Sequence, residues 1–381
     1  MIKEYLKKDG SKAFMFTAYL GVDPLTGKQR RTTRRGFSTR KEASLAKSRL
    51  LVDVEENGIQ KQNKTTFQEL YVLWYESAYK DTVKESTRVK TKELFDLHIL
   101  PAFGTSKIDK ISIKACQLVV NQWCKRFVKY RSMKAYTSKV LDYAVTLEMI
   151  RDNPMKKIVM PKKIEEVDEE VIENYYTKEE LQTFLICCKE DLASEWFTFF
   201  RLLAFSGLRK SEAFALTWKD IDFKGKTVSI SKALARGEQN RLIIQSPKNK
   251  SSVRTISMDA TTLAILKEWR KEQAITMLKY GHNTMNDTQL VFSTSTNKFI
   301  DPNASFRHIE KVIQLNGLSK ITTHGLRHTH CSLLFESDAP IQVVKERLGH
   351  SDIQTTMNIY THVTEKSKED TAEKFAQYVN F

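Results

Sequence analysis

The chain has 381 residues, with 62 Lys and Arg against 46 Asp and Glu, a formal charge of +16 and a pI near 9.4. That length accommodates two or three domains with their own cores, and the basic excess suits DNA or RNA, although a ribosomal or membrane-surface protein would share it. A polar start with no signal peptide and no apolar run of about 18 residues predict a cytoplasmic protein without membrane contact, and five cysteines without a C-x-x-C read as reduced thiols, not a disulfide framework or zinc ribbon.

Residues 1–50 carry 13 Lys and Arg against 4 Asp and Glu, a net of +9, so more than half of the excess lies near the start. Alternating stretches over 13–20 and 29–37 are split by Asp23-Pro24-Leu25-Thr26-Gly27, a turn signal, and followed by a helical pattern from Thr39. This predicts a small α+β domain over 1–57, a three-stranded sheet plus a helix. Arg30, Arg31, Arg34 and Arg35 sit on or beside the second stretch, where a strand would present them to a groove or simply to solvent.

After a polar linker from Asn57 to Lys64 the pattern turns helical. Thr66 and Glu69 form a capping box ahead of a stripe of Phe67, Leu70, Tyr71, Trp74 and Ala78. A second helix starts near Ser86 and ends before His98-Ile99-Leu100-Pro101-Ala102-Phe103-Gly104. Two more stripes follow, Val119, Val120, Trp123, Phe127 and then Met133, Tyr136, Val140, Ala144, Leu147, closed by Asn153-Pro154. An all-α bundle over 64–156 is expected. Its lysines, among them Lys84, Lys90, Lys92 and Lys134, are candidates for phosphate contacts, about half of them being ordinary solvated charges.

Residues 157–174 pass from basic to acidic with no periodic apolar face and read as an exposed linker. The third segment, 175–381, opens with a Thr177–Glu180 capping box and a Tyr176–Leu181 staple. Trp196 to Phe205 is apolar but for Thr198 and Arg201 and reads as a buried helix that delivers Arg209 just past Gly207. Glu212 follows three residues on, on the same side. Three short stretches, Thr227–Ile230, Leu242–Ile244 and Arg254–Met258, predict a small antiparallel sheet in a mainly α domain, with a polar turn over 247–252 between the last two.

Near the end come T-H-G-L-R-H, L-G-H-S and Y-T-H. His324 and Arg327 share a helix face at i, i+3. Pro340 opens a helix that Gly349 closes as a left-handed cap, and His350 follows the stop. Ser351 with Gln354 reads as a capping box, placing Ile353, Met357 and Tyr360 on one stripe. Taken singly, Tyr360 could be a packing aromatic. Arg209, His324, Arg327, His350 and Tyr360 together suit an attack by a phenol on a phosphodiester, because two planar guanidiniums match the charge growing on the non-bridging oxygens. H-G-L-R-H lacks the Glu of H-E-x-x-H and has no evident third ligand, so no metal is expected.

In these motifs, and in their order, the chain resembles the tyrosine recombinases, the integrases of phages and conjugative transposons. The likeness implies an arm-type DNA-binding domain, a core-binding bundle and a catalytic domain. It implies that Tyr360 forms a 3′-phosphotyrosyl bond, that Arg209 and Arg327 bind the phosphate, that His324 and His350 assist, and that Glu212 supports them. A lysine of the strand connection would protonate the leaving 5′ oxygen; Lys248 matches best and Lys250 is its rival. The chemistry requires neither cofactor nor metal. Implied partners are double-stranded att DNA of core and arm types, a homotetramer on that DNA, an excisionase and a DNA-bending protein. Phe375, Tyr378, Val379 and Phe381 would dock a tail helix on a neighbouring protomer or on their own domain. A type IB topoisomerase, a telomere-resolving enzyme and a non-catalytic DNA-binding regulator are the alternatives on such a scaffold.

Overall fold

A computed structural model describes residues 2–7, 9–22, 27–57, 64–162, 174–247, 249–354 and 356–357. The predicted turn at 23–26, the linker stretches 58–63 and 163–173, Lys248, Tyr360 and the tail to 381 lie outside them. The chain divides into two units, one of residues 1–83 and 91–164, the other of 84–90 and 165–381.

In the first unit β1 (Ile2–Leu6), β2 (Lys12–Val22) and β3 (Gln29–Phe37) form an antiparallel sheet in that order. Helix α1 (Arg40–Asn57) covers one face, where Phe16, Ala18 and Ala43 are buried. Asn57, expected in the linker, therefore ends a helix. The strand alternation divides the arginines of β3. Arg35 pairs with Met15 and Arg31 with Tyr19, on the face away from α1, while Arg34 pairs with Phe16 and lies with Arg30 on the helix side. Arg31, Arg34 and Arg35 are exposed, but the four do not form one row.

The helical part begins with α2 (Phe67–Trp74), whose Thr66–Glu69 capping box forms as expected. Tyr75–Tyr79 then takes a π-helical turn. Its wider turn moves the stripe by one residue, so Tyr79 is buried and Ala78, the expected position, is exposed. The next helix likewise runs on. α3 (Glu85–Leu94) passes through a second π turn, Phe95–Ile99, into α4 (Leu100–Phe103). The stop expected before His98 is thus absent: Pro101 follows directly on the π turn, whose wider i to i+5 bonding, Leu100 N–H to Phe95 O, lets the helix run on to it. α5 (Ile113–Arg126) and α6 (Tyr130–Thr146) complete the core with Val120, Trp123, Met133 and Val140. Leu147 caps α6 and is exposed. Met155 is fully buried in this core, and Ile158 and Met160, expected in the linker, pack on it, so the bundle runs past 156.

In the second unit α7 (Lys178–Asp191) starts at the Thr177 capping box, and α8 (Ser194–Ser206) is buried along most of its length. After the short α9 (Lys210–Ala213) come two small sheets. β4 (Ile221–Asp222), β5 (Thr227–Ile230) and β8 (Arg254–Ser257) make one; β6 (Ala233–Arg236) and β7 (Leu242–Gln245) make the other. The expected hairpin of 242–244 with 254–258 does not form. β7 instead pairs with β6, whose Ala-Leu-Ala-Arg sequence has no β-branched residue to announce a strand. Helices α10 (Ala260–Lys279), α11 (Ala304–Asn316), α12 (Gly325–Glu336) and α13 (Ile341–Leu348) follow. α8 packs on α7, α10 and α12, at the centre of this unit's core. Among the described residues no helix is long and apolar enough to cross a membrane.

Candidate active site

Two helix C-termini converge on one place. The last carbonyls of a helix have no intrahelical partner and carry the negative end of its dipole, so they attract cationic donors. At the end of α8, Ala204 O accepts from His330 Nδ1 (2.8 Å), Phe205 O from Arg347 Nη2 (3.0 Å) and Gly207 O from Arg327 Nη1 (2.6 Å). At the end of α13, Arg347 O accepts from Arg254 Nε (2.7 Å), Leu348 O from Arg327 Nη2 (2.6 Å) and Gly349 O from Arg209 Nη2 (3.4 Å). Arg327 bridges both ends. It is 3% exposed and makes a bolt beneath the site.

Glycine is needed at both stops. Gly207 has φ +67° and a Cβ there would lie 2.6 Å from His330 Cδ2 and 2.7 Å from Leu348 Cδ2. Gly349, also at φ +67°, closes a Schellman motif in which its own N–H reaches Glu346 O (3.0 Å) and the His350 N–H reaches Lys345 O (3.1 Å). The first stop aims Arg209, the second His350.

Arg209 is the N-cap of α9, a third exposed, with Nη1 2.8 Å from Glu212 Oε1. Glu212 is 2% exposed. Burial by itself raises its pKa, but Arg254 and then Arg209 outweigh that and hold it below the usual range. Arg254, 7% exposed, lies 3.1 Å from Glu212 Oε2. Burial and the neighbouring Arg209 lower the Arg327 pKa to about 9, which still leaves it charged at neutral pH.

His324 is the N-cap residue of α12 and stands edge-on to His328, ring centroids 4.8 Å apart. His350 Nδ1 lies 2.9 Å from the hydroxyl of Thr356, which is fully buried. Burial first, and then the surrounding cations, lower both His324 and His350 to about 4, so both rings are neutral at pH 7. In the helical turn after His350 the Gln354 N–H donates to Asp352 Oδ1 (3.0 Å). Ile353 and Met357 lie on that turn, and Tyr360 follows three residues beyond Met357 in sequence.

Arg254, Arg347 and His330 were missed as parts of the site in the sequence. A basic residue in the last turn of α13, directly before L-G-H, was the available signal for Arg347. His330 is no metal ligand, because Nδ1 is on Ala204 O and Nε2 accepts from Arg347 Nε (3.0 Å). Among the described residues no group of three His, Cys, Asp or Glu could hold a metal.

Of the lysines, Lys84, grouped with the second unit, donates to Ser246 O (2.7 Å) and Pro247 O (2.8 Å). Lys90 and Lys92 are exposed and Lys134 is half-buried. Lys250 begins a 3₁₀ turn, Lys250–Ser252.

The buried histidines predict an acid-sensitive fold. An unfolded histidine takes up its proton near pH 6.5, whereas burial and Arg347 hold His330 neutral down to about 3. Stability is therefore complete above about pH 6.5 and is lost as pH falls through the window from 6.5 toward 3. At pH 5 His330 alone should cost about 2 kcal/mol. Thermal melting at pH 7 and pH 5 should show the drop, and His330→Asn should reduce it by a comparable amount; an unchanged pH slope in the variant would refute the assignment.

Three family profiles match this chain: an Arm DNA-binding domain over residues 1–54, a Phage integrase N-terminal SAM-like domain over 66–124, and the Phage integrase family over 174–367. A XerC-like tyrosine recombinase of Caldanaerobacter subterraneus subsp. tengcongensis is 30% identical over 96% of each chain. The ICEBs1 integrase of Bacillus subtilis is 26% identical over 97% of this chain and 98% of its own. Among solved structures, the Tn1549 transposon integrase in complex with transposon right end DNA aligns with a TM-score of 0.67 at 21% identity, covering 82% of this chain and all of that one. A lambda integrase tetramer bound to a Holliday junction aligns with a TM-score of 0.57 at 15% identity, covering 93% and 94%. With its sheet-and-helix N-terminal part, its SAM-like bundle and a catalytic region whose arginines and histidines meet at two helix ends, the chain belongs to the phage integrase family of tyrosine recombinases, site-specific enzymes of mobile elements that cleave and religate DNA.

Proposed function

We propose that the chain integrates and excises its mobile element by the following chemistry. Tyr360 Oη bonds to a scissile phosphorus as the P–O5′ bond breaks. Lys248 gives a proton to the departing 5′ oxygen, and the phenolic proton passes to a neutral imidazole, His324 or His350. The 5′-hydroxyl of a partner strand then reverses the step. Arg209, the more open guanidinium, binds a non-bridging oxygen, and the buried Arg327 adds its charge from beneath. The observation that carries this reading is the convergence of Arg209 and Arg327 on the carbonyls of two helix C-termini, with His350 held at the second by its main-chain N–H to Lys345 O. Covalent trapping on a nicked suicide substrate tests it.

The proposed partners are att DNA of core type for the bundle and catalytic region, and of arm type for residues 1–57. The arm-domain match supports the second, the lambda tetramer on a Holliday junction supports a homotetramer, and an excisionase and a bending protein complete the assembly. The proposed domains are 1–57, the bundle from 64, carried past 156 by Ile158 and Met160, and 175–381, with the linker between the last two, and the proposed compartment is the cytoplasm.

The general acid has a direct assay. Replacing the bridging 5′ oxygen by sulfur gives a leaving group that needs no proton, so Lys248→Ala should cleave that substrate at close to the wild-type rate while cleaving the oxygen substrate at least about a hundredfold more slowly. Rescue of Lys250→Ala, with Lys248→Ala unaffected on oxygen, would move the role by two residues.

A further inference from the structure

We propose that Arg254 is a positioning residue for DNA cleavage: it shares the buried Glu212 carboxylate with Arg209 and so keeps the Arg209 guanidinium available to the scissile phosphate. The inference rests on the role proposed above for Arg209.

Glu212 has two oxygens and about four lone-pair sites. Oε1 faces Arg209 Nη1 at 2.8 Å and Arg254 Nη1 at 3.4 Å. Oε2 accepts from the Arg209 main-chain N–H at 3.0 Å and from Arg254 Nη2 at 3.1 Å. All four sites are used, two of them by Arg254. Arg254 is itself anchored where it enters: Nε on Arg347 O (2.7 Å) ties it to α13, and Nη1 on Ser252 O (3.0 Å) ties it to the turn that begins at Lys250. One rigid fork thus joins the strand connection, the end of α13 and the carboxylate under Arg209. With Arg254 removed, the carboxylate would draw further donors from Arg209, the guanidinium it already holds, or take up a proton and release it. Either change misdirects Arg209. A lysine there would keep the charge but lack the planar fork needed for three acceptors at once.

The test is single-turnover cleavage of a nicked core-site duplex, taken from the junction of the element that carries the gene, as a function of pH. Arg254→Lys should bind the duplex within about threefold of wild type and cleave it at least about tenfold more slowly at pH 7. Arg254→Met should raise the acid limb of the rate profile by at least about one pH unit, because a buried carboxylate without its larger counter-charge protonates more readily. Adding Glu212→Gln to Arg254→Met should abolish that limb shift without restoring the rate. Wild-type cleavage by Arg254→Lys, or a loss in which binding and cleavage fall together with an unshifted pH profile, would overturn the proposal. If Arg254→Met does not fold, as melting will show, Arg254→Lys carries the test. Failure here is distinct from failure of the proposed chemistry, in which the wild-type protein itself would trap no DNA.

Discussion

Tyr360→Phe should give no covalent complex on a nicked suicide substrate while binding the same duplex within about threefold of wild type. The phenol oxygen is the atom that would bond to phosphorus, and phenylalanine removes only that atom. Binding rests on charge and on groups elsewhere, so it should survive. The loss has no floor set by electrostatics: no other residue can substitute for a missing nucleophile, whereas a missing donor merely slows the reaction. A covalent adduct formed by the variant would mean that another side chain attacks, and the assignment of the C-terminal motif would fall with it. The wild-type adduct should migrate with the DNA in a denaturing gel and carry Tyr360 in its cross-linked peptide.

The second large effect separates two arginines that the sequence treats alike. Arg209→Ala and Arg327→Ala should each slow cleavage by a factor on the order of 10², about 3 kcal/mol of transition-state stabilisation. Their stabilities should differ. Arg327 is buried and donates to both Gly207 O and Leu348 O at 2.6 Å, so its removal strips two charge-assisted hydrogen bonds, leaves one carbonyl at each helix end without that donor and cuts the link between the two ends. About 3–5 kcal/mol should go, roughly 10 °C in Tm. Arg209 is a third exposed, and Glu212 keeps Arg254 when Arg209 is gone; a loss of about 1–2 kcal/mol is expected. Equal melting temperatures for the two variants would show that Arg327 is not the bolt described here.

Much of the architecture was legible in the sequence. Capping boxes at Thr66 and Thr177, the apolar run of α8 and the glycine stop at Gly349 are local signals, because a cap or a left-handed turn is made by residues a few positions apart. Element boundaries were less legible where the backbone left regular geometry. The π turn at Tyr75–Tyr79 exchanged Ala78 for Tyr79 in the core, since a stripe counted at 3.6 residues per turn cannot foresee a wider one. Strand pairing was misread for a related reason: β7 and β8 carry the stronger strand signal, yet each found its partner elsewhere, in β6 and β5.

The sequence by itself determined which residues are chemically able to hold and attack a phosphodiester, because guanidinium, imidazole and phenol are properties of side chains, and their motifs are short. Only the tertiary structure decided how those groups are held. Arg209, Arg254 and Arg327 are far apart along the chain, and what gathers them is the meeting of the C-termini of α8 and α13, whose carbonyls take their donors together with those of His330 and Arg347, while His350 follows directly on the α13 stop. Arg254 illustrates the limit. In the sequence it is the first residue of a strand; in the fold it fills half the hydrogen-bonding capacity of a buried carboxylate 42 residues away, and no local pattern encodes a contact made by packing one helix end against another.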